Sequence, residues 1–150
     1  MNEYPWERRE VLRLCMQLCV AGGSLALLEA CAPGRFFAMA EESNGKLAVR
    51  KSEFDPTPDG KPGRSYVLVK PRGLGFPILL NKKADSTYDA VLLRCTHQGC
   101  EVGVEGQDLA CPCHGSEFSL AGKVTRGPAQ ENLHSFETSE DNEYVYIPLR

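Results

Sequence analysis

Cys95-Thr-His-Gln-Gly-Cys100 and Cys111-Pro-Cys-His-Gly-Ser116 decide how this chain is read. Each stretch offers one thiolate and one imidazole from a short glycine-bearing loop, and thirteen residues separate His97 from Cys111. Two Cys and two His would satisfy a single zinc ion. They would equally satisfy two bridged irons, which need two ligand pairs converging from the same side. Spacing argues against zinc: C-x-H is not the usual first knuckle, and zinc gives no reason for Cys100 and Cys113. A purely structural disulfide domain fares no better. It leaves unexplained why His97 and His114, two of only three histidines, stand beside those cysteines.

The two stretches resemble the C-x-H-x-G-C and C-x-C-H-G-S loops of Rieske iron–sulfur proteins, and the similarity extends over roughly residues 45–150. The resemblance implies that Cys95, His97, Cys111 and His114 hold a [2Fe–2S] cluster, with histidines replacing cysteines on one iron. It implies a disulfide between Cys100 and Cys113, as in the quinol-oxidising members, stapling the loops together. Such a bond persists in an oxidising compartment and rarely in cytosol. It also gives the neighbours roles. Gly99 and Gly115 let backbone N–H groups approach the inorganic sulfides, and such donors raise the potential. Ser116 matches the family serine whose hydroxyl donates to a bridging sulfide. Phe118 stands where quinol-oxidising members usually carry a tyrosine, and Gln98 where they usually carry leucine. Gly127-Pro128-Ala129 resembles the proline loop that covers the cluster and excludes water.

These features place the expected midpoint in the positive part, below the top, of a range of roughly −150 to +300 mV. Reduction should be coupled to protonation of the free ring nitrogens of His97 and His114, so the midpoint should fall as pH rises. His134 reads as a partly exposed strand residue.

Composition bounds the rest. The chain has 150 residues, 42% hydrophobic and 25% charged, with a net charge of −3. That fits one small soluble domain with appendages. No basic stripe exists to neutralise phosphates, which excludes nucleic acid as a partner class. Fourteen glycines and ten prolines with short apolar runs point to turns and strands. β-prone segments fall at 46–50, 65–70, 76–80, 89–94, 101–104, 107–111, 133–137 and 143–147. The proline-rich stretch 55–63 should be a surface loop, because proline lacks the ladder donor. The expected fold is all-β: a small antiparallel β-barrel or sandwich with an inserted subdomain of two ligand loops, about residues 94–130. No nucleophile–base pair, nucleotide loop or open metal site is evident, so catalysis by this chain alone is not expected.

The N-terminus reads as an address. Arg8-Arg9 precede an apolar run from Leu14 to Leu28, resembling a Tat export signal. The run is shorter than the ~20 apolar residues a membrane span needs. Leu28-Glu-Ala-Cys31 resembles a lipobox, which would make Cys31 the lipid attachment site. The expected organisation is signal 1–30, tether 31–44 and cluster domain 45–150. The protein is expected at the periplasmic or outer face of the cytoplasmic membrane, tethered through lipid or the signal segment. The resemblance implies a single-electron carrier serving redox partner proteins. The alternatives are the Rieske subunit of a quinol:cytochrome c oxidoreductase, or a small subunit of another oxidoreductase.

Overall fold

The computed structural model describes residues 36–149; the expected signal and Cys31 lie outside the described residues. Among the described residues twelve strands follow one another: β1 (Ala40–Ser43), β2 (Lys46–Arg50), β3 (Tyr66–Val69), β4 (Ile78–Lys82), β5 (Tyr88–Leu92), β6 (Gly103–Glu105), β7 (Asp108–Ala110), β8 (Glu117–Ser119), β9 (Val124–Arg126), β10 (Ser135–Phe136), β11 (Ser139–Glu140) and β12 (Tyr144–Pro148). They form three antiparallel four-stranded sheets, ordered β1-β2-β12-β11, β10-β5-β4-β3 and β6-β7-β8-β9. The fold is all-β and sandwich-like. A single 3-10 turn, Lys51–Phe54, is the helical element among the described residues. No helix of the described residues is long and apolar enough to cross a membrane.

The middle sheet explains the layout. Its strands read as nearly continuous apolar runs, and a strand with that pattern must be buried on both faces. On one face Val67, Leu80 and Ala90 lie opposite one another across β3, β4 and β5. They pack against Leu47, Val49, Val145 and Ile147 of the first sheet. On the other face Leu68, Leu79 and Val91 are the cross-strand row. They pack against Val102, Leu109, Phe118 and Leu133 of the third layer, together with the sulfur-bearing Cys95 and Cys111. Burial of each aliphatic side chain stabilises by about 1.5–3 kcal/mol, so both interfaces depend on this alternation.

The first sheet shows the clean period of a half-buried strand. Leu47 and Val49 point inward from β2 and face Ile147 and Val145 of β12, while Lys46 and Arg50 point out. Polar β1 joins β2 through a turn at Asn44-Gly45, a pair that favours tight hairpins. Residues 40–43, read from sequence as part of the tether, are therefore an edge strand. The loop at 55–63 carries no strand, as its prolines require.

The third sheet lies between β5 and β10 in the chain, yet β5 and β10 are hydrogen-bonded neighbours. Gly122, in the turn between β8 and β9, sets how closely this layer approaches the middle sheet. A Cβ there would lie 2.9 Å from Cγ1 of Val91 and 3.2 Å from Cβ of Leu133, and its φ of +80° already disfavours a side chain.

Candidate metal centre

Two loops of six residues, 95–100 and 111–116, project from this layer and are built to one plan. Antiparallel pairs close both: Arg94 opposite Glu101 for the first, Ala110 opposite Glu117 for the second. In each, the leading cysteine N–H donates across the mouth, Cys95 to the Cys100 carbonyl and Cys111 to the Ser116 carbonyl, both at 2.8 Å. In each, the fifth residue donates back to the leading cysteine carbonyl: Gly99 at 2.8 Å and Gly115 at 3.0 Å. That closure holds the fifth residue at φ +74° and +75°, a left-handed conformation natural to glycine. The motif glycines are thus required by the turn itself.

The disulfide between Cys100 and Cys113 joins the loops, with 6.6 Å between the Cα atoms. Cys95 and Cys111 are free and buried, each 3% exposed. Burial pushes the Cys111 thiol up. Backbone N–H groups of Cys113 and His114 donate to its sulfur and pull the other way, while the adjoining Cys95 thiol adds to the upward push. Sγ atoms of Cys100, Cys111 and Cys113 lie within 4.8 Å of one another. Two of those three are spent in the disulfide, so they supply no thiolate to a metal.

His97 and His114 are exposed, and their rings meet edge to face with centroids 5.1 Å apart. The donors are therefore sorted by type: two thiols inside, two imidazoles at the tip. That sorting suits a binuclear cluster with a buried sulfur end and an exposed histidine end. Gln98 is exposed beside His97, in a groove of about 550 Å³ that Thr96, Glu131 and His134 also line. His134, expected to be partly exposed, is exposed and packs edge to face on Phe136 at 4.6 Å.

Two hydroxyls anchor the segment after β9 to the ligand loops. Ser116 is fully buried, and its Oγ accepts the Ala129 N–H at 3.0 Å. The Thr96 hydroxyl donates to the Glu131 carbonyl at 2.6 Å. Pro128 is exposed, whereas Ala129 next to it is buried at 5%. The contact that fixes the proline loop is thus made by Ala129. Sequence reading placed Ala129 in the proline loop without its tie to Ser116 and missed Thr96, since nothing in either residue type signals the contact. Phe118 is fully buried opposite Leu109.

A buried thiol pair, an exposed histidine pair and a disulfide between their loops define a class of small iron–sulfur electron carrier. A profile of the Rieske [2Fe-2S] domain matches residues 49–137, and the chain belongs to that family. It is 30% identical over 155 residues to the cytochrome b6-f complex iron-sulfur subunit 1 of Synechocystis sp., covering 95% of this chain and 84% of that one. It is 28% identical over 155 residues to the cytochrome b6-f complex iron-sulfur subunit 2 of Trichormus variabilis, covering 93% and 83%. The fold also resembles naphthalene 1,2-dioxygenase solved with indole in its active site. There the TM-score is 0.55 at 16% identity, over 77% of this chain and 27% of that one. The chain is a Rieske iron–sulfur electron-transfer protein, and its cofactor is a Rieske [2Fe–2S] cluster.

Proposed function

We propose that the chain is a membrane-tethered Rieske carrier on the outer face of a bacterial cytoplasmic membrane, moving single electrons between protein partners. Cys95, Cys111, His97 and His114 would hold the cluster, the thiolates at its buried end and the imidazoles at its exposed end. The observation that carries this reading is the sorting of the donors, with sulfur at the buried end and both imidazoles at the exposed tip. The cluster supplies a one-electron couple.

The residues around it set the terms of the transfer. Burial disfavours the Cys111 thiolate, and backbone N–H groups of Cys113 and His114 offset part of that cost. Because Ser116 Oγ already accepts from Ala129, its hydroxyl proton would be left to donate toward a bound cluster. Phe118 has no hydroxyl to add, which lowers the potential relative to relatives with tyrosine there. Exposed His97 and His114 present the tip to a partner. Arg8-Arg9, the apolar run and Cys31 support export and lipid tethering.

A second reading is favoured by one observation: two relatives matching over most of their length are subunits of cytochrome b6-f complexes. Under it the chain docks on a quinol-oxidising cytochrome complex. Exposed Gln98 in place of a shielding leucine weighs against that docking. Purification from native membranes tests both, with EPR of the reduced protein, mass analysis of the N-terminus and identification of bound partners. A lipidated Cys31 without a cytochrome b partner supports the carrier. Co-purification with quinol-dependent reduction supports the subunit, and zinc in place of a Rieske EPR signal sinks both.

A further inference from the structure

The three neighbouring sulfurs of the loops have a chemistry beyond holding iron and stapling loops. Cys111 is a free thiol, Cys100 and Cys113 form a disulfide, and all three Sγ atoms lie within 4.8 Å of one another. A thiolate beside a disulfide can exchange with it through direct attack on one sulfur. We propose that, in the protein without its cluster, Cys111 attacks the Cys100 sulfur, so that the bridge moves from Cys100–Cys113 to Cys100–Cys111. This rests on the reading of Cys111 as an iron ligand, because iron on that sulfur is what otherwise blocks the attack.

The step balances without an added oxidant. The Cys111 thiol gives its proton to water, and its sulfur forms a bond to Sγ of Cys100. The Cys100–Cys113 bond breaks, and its electron pair leaves on Cys113, which takes up a proton. One disulfide and one thiol enter and leave. Attack at Cys100 is favoured over Cys113 by chain geometry. Cys111 and Cys113 flank Pro112, whose ring fixes φ, so a bond between them would close a very small, stiff ring. Cys100 belongs to the other loop, where no such ring forms. The released Cys113 is exposed and leaves the pocket readily.

The consequence is an order of assembly. Once moved, the bridge consumes a ligand thiol, and the chain cannot take up its cluster until it is reduced. Iron must therefore occupy Cys111 before the compartment oxidises Cys100 and Cys113. Loading in the cytoplasm followed by export in the folded state supplies that order.

The test is a disulfide map of the full chain. Cluster-bearing protein is stripped of iron by a chelator under non-reducing conditions at low protein concentration. Free thiols are then alkylated and the bridges assigned by peptide mass spectrometry. The expected result is a growing Cys100–Cys111 fraction, with Cys113 alkylated to the same extent. An unchanged Cys100–Cys113 bridge with Cys111 alkylated would overturn the proposal, as would any other pairing. Should stripping unfold the chain, His97→Ala provides cluster-free protein with every sulfur intact, and a folded circular dichroism spectrum with the original bridge overturns the proposal equally. Exchange in the cluster-bearing protein itself would remove Cys111 from the iron ligands and leave the exchange standing.

Discussion

The two faces of the middle sheet are covered very differently. Toward the first sheet, the five-residue strands β2 and β12 present aliphatic side chains in register, Leu47 opposite Ile147 and Val49 opposite Val145. Toward the ligand loops the strands are only three residues long, and cysteine sulfur is part of the core. Ordinary burial suffices on the first face. On the second face a core of similar extent is held on short strands, and a disulfide staples the loops above it. The contrast assigns stability to one half of the molecule and redox chemistry to the other, with β3, β4 and β5 shared between them.

The largest effects should come from the ligands. Cys95→Ser should abolish the Rieske EPR signal of reduced protein while leaving the strand circular dichroism in place. A persisting signal would remove Cys95 from the ligand set. Next, Leu80→Ala and Leu109→Ala should each cost about 2–5 kcal/mol, in different places. Leu80→Ala should lower the unfolding midpoint of the whole domain, whereas Leu109→Ala should release the cluster at temperatures where the scaffold still holds. Loss of both signals in one transition for both variants would erase the distinction between the faces.

Opening the staple with Cys113→Ser should cost about 3 kcal/mol, read as faster cluster loss with little change in scaffold melting. Ser116→Ala strands the buried Ala129 N–H, at about 1–3 kcal/mol, and should lower the midpoint in a redox titration; an unchanged midpoint would deny the hydroxyl its donor role. The smallest effect lies far from the loops. The Tyr146 hydroxyl, then the N–H groups of Tyr144 and Glu143, hold the Asp141 carboxyl below its ordinary value. A depressed carboxyl stabilises the fold above the unfolded value, near ~3.9, and that contribution is lost as pH falls through the folded value. Asp141→Asn should therefore lower the melting temperature slightly at neutral pH, and the gap to wild type should close in acid.

Most of the scaffold was legible because burial leaves a period in the sequence. The segment 46–50 is β2 as expected, and 143–147 is β12 shifted by one residue. The strands that escaped notice, β1, β8, β9 and β11, are short or polar. Ala40–Ser43 reads as linker, since an edge strand exposes most of its side chains, and its one signal was the Asn44-Gly45 turn that follows. At the centre, Cys and His types with their spacing pointed to four candidate donors, which the structure brings to two neighbouring loops, and the expected Cys100–Cys113 bridge is present. The ties made by Ala129 and Thr96 were not legible. Both use a backbone group, N–H in one case and C=O in the other, and a backbone group has no residue type to read.

One more consequence follows from the pairing of β5 with β10. To the folding chain, everything from Leu93 to His134 is a single long loop between two adjacent strands. The entropy lost in closing a loop grows only with the logarithm of its length. The β-scaffold can therefore close around an unfinished loop at little extra cost, and a folded frame can stand ready before the iron arrives.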